Sequence, residues 1–137
     1  MGPVTASEPE LRVLVYSSDA LARRSVIEAL GPRPHPDLPP IQHIEVATAP
    51  MVLRLLDAGG IDLVILDGEA SPAGGMGIAK QLRDEIDPCP PILVLTARRD
   101  DDWLASWSRA DAIASRPVDP IDLARTVIDL IRASAHA

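Results

Sequence analysis

The stretch Ile61-Asp-Leu-Val-Ile-Leu-Asp67 decides how this chain is read. It is an almost wholly apolar run that ends on a carboxylate and opens into Gly68-Glu-Ala-Ser-Pro-Ala-Gly-Gly-Met-Gly77. Leu63 to Leu66 are too few for a helix of ordinary length, and turn residues follow them directly. Such a run is a strand buried on both faces, as in a parallel sheet covered by helices. Asp67 then stands at the strand's carboxyl end, where open parallel α/β sheets carry their functional groups.

Working outward, the flanking segments supply the rest of that sheet. Met1 to Glu10 are small, polar and proline-containing, and read as a flexible tail. Leu11 to Tyr16 is a first strand, with Ser18 or Asp19 as cap of a helix over Ala20 to Leu30. That helix buries Val26, Ile27 and Leu30, turns Arg23, Arg24 and Glu28 outward, and closes at Gly31. Residues 31–42 hold five prolines and form a long, extended loop, with tolerated surface insertion as its plainest reading. A short strand over Ile44 to Ala47 follows, then a helix capped by Thr48, with Pro50 in its first turn and Met51, Val52, Leu55 and Leu56 as its apolar face.

Beyond Asp67 the alternation continues. A helix spans about Ile78 to Glu85, and Asp87 to Pro91 turns the chain into a second doubly buried strand, Ile92 to Thr96. A helix over Asp101 to Ser108, with Asp100 to Asp102 as a capping run, precedes a short strand over Ala112 to Ser115. Asp119-Pro120 then starts a last helix to about Ala133, with Ile121, Ala124, Val127, Ile128 and Ile131 on its buried side. Five strand–helix units predict a flavodoxin-like three-layer (αβα) sandwich, with a five-stranded parallel sheet in order 2-1-3-4-5 and five helices.

Composition narrows the function classes. The chain has 137 residues, 47% of them hydrophobic, enough for one domain whose core is aliphatic because there is no Phe. A formal net charge of -7 argues against a nucleic-acid partner. The absence of a signal sequence or a membrane-length apolar run predicts a cytoplasmic protein with no membrane association. Cys89, the single cysteine, rules out an internal disulfide and reads as inert, since no cation adjoins it in sequence. His35 and His43 read as ordinary surface histidines, and no dinucleotide, P-loop or nucleophile-elbow pattern is present. The predicted topology gathers Ser17, Ser18, Asp67, Thr96 and Arg116 at one rim: hydroxyls, a carboxylate and a guanidinium around one hollow.

Four segments carry a resemblance. Arg12-Val-Leu-Val-Tyr16, the stretch ending at Asp67, Pro91-Ile-Leu-Val-Leu-Thr96-Ala and Ala110-Asp-Ala-Ile-Ala-Ser-Arg116-Pro117 are similar, in order and spacing, to the receiver domain of two-component response regulators. The resemblance covers Leu11 to Ala133. It implies a receiver over 11–133, followed by no output domain. By that resemblance Asp67 accepts a phosphoryl group from a histidine kinase or small phosphodonor, and Thr96 and Arg116 contact the phosphate. Mg²⁺ is the implied metal, with Asp67 as ligand and Glu69 as a weaker candidate. Trp103 and Trp107, one turn apart on the helix over Asp101 to Ser108, are core residues or the implied partner surface. The fourth and fifth predicted helices offer a route to a homodimer.

The chain also departs from that family. Where receivers carry an acidic pair after strand one, this sequence has Ser17 and Ser18, with Asp19 next to them. Removing carboxylates weakens Mg²⁺ binding. The family's lysine is Arg116, whose planar fork does not reproduce an ammonium's geometry, and its aromatic switch residue is Ile113. The loop after Asp67 is about two residues longer than usual. Three functions follow as expectations: a stand-alone atypical receiver in a phosphorelay, a phosphorylation-independent interaction module acting on an unknown protein partner, or a binder of a small anion at the same rim.

Overall fold

Alternation within each strand sends side chains to both faces of a sheet, and here both faces are aliphatic. The computed structural model describes residues 9–70, 74–97 and 109–135. Five parallel strands, β1 (Leu11–Tyr16), β2 (Ile41–Val46), β3 (Leu63–Asp67), β4 (Ile92–Thr96) and β5 (Ala112–Ser115), lie in the order β2-β1-β3-β4-β5. Four helices are described: α1 (Ala20–Leu30), α2 (Ala49–Ala58), α3 (Gly75–Glu85) and α4 (Pro120–Ala135). The predicted helix over Asp101 to Ser108, with its capping run, Trp103 and Trp107, lies outside the described residues.

Two apolar layers result. Leu14, Tyr16, Val64, Leu66, Ile92 and Val94 face α2 and α3, where Val52, Leu56, Ile78 and Leu82 meet them. Val13, Val15, Leu63, Ile65, Leu93 and Leu95 face the other way, toward Val26 and Leu30 of α1 and Leu123, Val127 and Ile131 of α4. Every residue of β3 and β4 is buried, as a central parallel strand requires.

Four boundaries or faces differ from the sequence reading, each for a tertiary reason. β2 starts at Ile41 because parallel pairing with Leu11 extends the ladder up to the prolines. The proline loop, read as an extended surface insertion, is also anchored: Leu38 is buried among the residues between the sheet and α1 and α4, Arg33 Nε donates to its carbonyl (2.9 Å), and Ile41 N–H donates to Pro32 O (2.8 Å). α3 begins at Gly75, one turn earlier than its apolar pattern announces. In α4, Ile121 is 70% exposed, and Leu123 takes the buried position instead.

The caps follow the sequence in part. Asp19 caps α1 by accepting from Leu21 N–H (2.9 Å), and Asp119 Oδ1 accepts from Ile121 N–H at the start of α4 (2.9 Å). Thr48 occupies the cap position of α2 but its side chain makes no capping hydrogen bond. His43 is half-buried rather than superficial, and its Nε2 donates to Gly31 O (3.0 Å). No described helix is long and apolar enough to cross a membrane.

Candidate functional site

Strand register brings the site together. Tyr16 pairs with Leu66, Asp67 with Leu95 and Thr96 with Ser115, so β1, β3, β4 and β5 end at nearly one level. Ser17 follows β1, Asp67 and Thr96 end β3 and β4, and Arg116 follows β5. Ser17, Asp67 and Thr96 are buried polar residues, and Asp67 is only 3% exposed.

Both oxygens of the Asp67 carboxylate are engaged. Oδ2 accepts from Ser17 Oγ (2.7 Å), a contact across 50 residues of sequence. Oδ1 accepts from Glu69 N–H (2.9 Å) and forms an ion pair with Arg116 Nη2. Nη2 is buried against that oxygen. Arg116 N–H donates to Thr96 O (2.9 Å), which ties the guanidinium's backbone to the end of β4. Burial and then the Asp67 charge push the neighbouring Tyr16 phenol above its ordinary pKa.

The loop leaving β3 is built for close approach. A Cβ on Gly75 would stand 2.6 Å from Asp67 O, so only glycine lets α3 start directly over the phosphoacceptor candidate's backbone. Gly68 N–H donates to Leu95 O (2.8 Å), which anchors the start of the same loop.

The rim does not use all the predicted residues alike. Ser17, Asp67, Thr96 and Arg116 converge. Ser18, Asp19 and Glu69 are exposed, and Asp19 Oδ1 is engaged as the cap of α1. Arg23, which the helical pattern turns outward, instead reaches back to the rim: Nη1 donates to Ser17 O (2.6 Å) and Nε to Glu45 Oε1 (3.0 Å). The signal was available, because side chains in a helix's first turns lean toward its N-terminus, here the end of β1. At the opposite end of the sheet, Cys89 does have a cation beside it. Burial raises its thiol pKa, and the Arg83 guanidinium beside it works against that, so the adjacent cation absent from the sequence reading is supplied by the fold.

Mg²⁺ does not fit this donor set. The ion takes octahedral oxygen ligands, with one or two carboxylates and several waters. Among the described residues no three His, Cys, Asp or Glu side chains group as a metal site. The one buried carboxylate among the described residues already carries a guanidinium, a hydroxyl and a backbone N–H, and a second cation at Oδ1 would be repelled by Arg116.

Comparison with known proteins places this geometry. No protein-family model matches the chain. An uncharacterized response regulatory protein of Mycobacterium tuberculosis, found in strains CDC 1551 / Oshkosh and ATCC 25618 / H37Rv, is 65% identical over 130 residues, covering 95% of this chain and 98% of the relative. Among solved structures, the receiver domain of a Francisella response regulator superposes with a TM-score of 0.76 at 17% identity, covering 91% of this chain and 99% of that one. A chain in the co-crystal of the Saccharomyces cerevisiae histidine phosphotransfer signaling protein Ypd1 with the receiver domain of its downstream response regulator Ssk1 gives 0.76 at 18% identity, covering 93% of both chains.

Proposed function

Starting from a chain that belongs to the response regulators and has the CheY-like receiver fold, we propose that it is a receiver whose phosphoryl acceptor is Asp67 and whose output is a contact with another protein. The observation that supports this reading is the Asp67–Arg116 ion pair at the carboxyl ends of β3 and β5, 97% hidden on the aspartate side, with Thr96 at the adjoining strand end. A nucleophilic carboxylate needs one oxygen free to attack and charge compensation for the product. When the Ser17 hydroxyl turns away, Oδ2 is the oxygen that attacks, while Oδ1 keeps Arg116. With acetyl phosphate as donor, an Oδ2–P bond forms, the P–O bond to the acetyl group breaks, and acetate leaves with the electron pair. In a relay, the donor is the phosphohistidine of a kinase or phosphotransfer protein.

A second reading has its own observation. Because both Asp67 oxygens are partnered at rest, the same pair also suits a module held in one state that binds its partner without phosphorylation. Intact mass after incubation with acetyl phosphate, wild type beside Asp67→Asn, separates the two. One added phosphoryl group on wild type alone is the expected result. No addition on a folded wild type sinks the phosphoacceptor reading in favour of the second.

A further inference from the structure

We infer that Arg116 takes the place of the divalent cation at Asp67, so that the pocket binds no Mg²⁺ and accepts its phosphoryl group without one. The inference rests on the reading of Asp67 as acceptor. Three features of the rim carry it. The guanidinium lies against Oδ1, the oxygen that keeps its partner when Oδ2 attacks, and is tethered through its backbone N–H to Thr96. The two positions that would complete an acidic pocket, Ser17 and Ser18, carry hydroxyls: Ser17 Oγ donates to Oδ2, and Asp19 beside them spends Oδ1 on the start of α1. A second guanidinium, Arg23, binds Ser17 O at 2.6 Å and adds positive charge at the same edge, balanced in part by Glu45.

The buried Nη2 of Arg116 gives the arrangement a direction. It sits against Oδ1, the oxygen next to the one that attacks. A phosphoryl group on Oδ2 brings three acceptor oxygens and close to two negative charges within its reach. The product therefore offers the guanidinium further charge-assisted hydrogen bonds beside the one carboxylate oxygen it meets at rest. Arg23 acts differently: it touches neither Asp67 nor the incoming group, and serves as a positioning residue for Ser17.

Two measurements on the full chain test this. The first titrates MgCl₂ alone into the wild type, followed by calorimetry and thermal unfolding. The expected result is no saturable heat and a Tm change below about 1 °C at about 10 mM Mg²⁺. A saturable Mg²⁺ isotherm with a rise in Tm overturns the inference. The Ser17→Asp/Ser18→Asp variant, which restores carboxylates, is expected to gain a Mg²⁺-dependent rise in Tm. The second measurement repeats acetyl phosphate labelling in EDTA and in Mg²⁺. Equal labelling of wild type in both buffers, and a loss of about a hundredfold in Arg116→Ala, support the inference. Labelling that needs Mg²⁺ overturns it while leaving Asp67 as acceptor. Absence of label in both buffers overturns the acceptor reading instead, and the Mg²⁺ titration then decides the metal question alone.

Discussion

The two ends of the sheet handle carboxylates in opposite ways. At the carboxyl ends, one carboxylate is buried, and a hydroxyl, a backbone N–H and a guanidinium meet its two oxygens. At the amino ends, Asp57, Asp62, Glu85 and Asp87 line an open hollow of about 470 Å³, together with Cys89, and all four acids are exposed. Asp62 accepts Arg12 N–H (2.8 Å), a link between the start of β3 and β1. Four acids in water make a solvated face, whereas one acid out of water makes a site. The difference is desolvation: a buried charge must be compensated by fixed partners, and those partners then define a geometry.

Three sets of substitutions would break or sharpen that contrast, in order of expected size. Arg116→Ala removes the cation that, among the described residues, touches Asp67. Removing one member of a buried ion pair costs about 3–5 kcal/mol. Since the Arg116 side chain is 32% exposed, a loss of about 2–3 kcal/mol is expected in urea unfolding. A loss below about 0.5 kcal/mol would mean that Asp67 is as well solvated as the acids at the other end.

Gly75→Ala forces a methyl group to 2.6 Å from Asp67 O, where only backbone can yield. The expected loss is about 1–3 kcal/mol, together with a displaced Asp67, seen as lower acetyl phosphate labelling than a stability loss alone explains. Gly77, two residues on, has open space around it and is exposed, so Gly77→Ala should hold or raise stability by about 0.5–1 kcal/mol. Their difference isolates close approach from helix propensity.

The smallest effect is expected at the acidic hollow. Asp57→Asn and Glu85→Gln, singly or together, should change stability by no more than about 0.5 kcal/mol and leave labelling at Asp67 unchanged. A larger loss in either quantity would show that the two ends are coupled through α2 or α3.

Legibility in the sequence followed the length scale of the cause. β1, β4, β5 and α1 begin and end where their own residues say, because strand composition, the Asp19 cap and the Gly31 stop are local signals. α3 starts before its apolar pattern announces it because Gly74-Gly75-Met-Gly77 has poor helix propensity. Gly75 is there to clear Asp67's backbone, a requirement that arises only when β3 and α3 are packed. Ile121 and Leu123 show the same limit on α4: both lie close to the apolar stripe, and the neighbouring α1 and β5 decide which of them is covered.

The sequence by itself determined the alternation of strands and helices, the parallel sheet, and the arrival of Ser17, Asp67, Thr96 and Arg116 at one rim. These depend on hydrophobic period, caps and turn residues within about a dozen positions of each other. Tertiary structure decided what those residues touch. It turned Arg23 inward to Ser17, joined Arg116 to the same carboxylate oxygen that Glu69 N–H binds, and set Arg83 beside Cys89. Long, flexible cationic side chains have many rotamers of similar energy, and only a partner delivered from another element selects one.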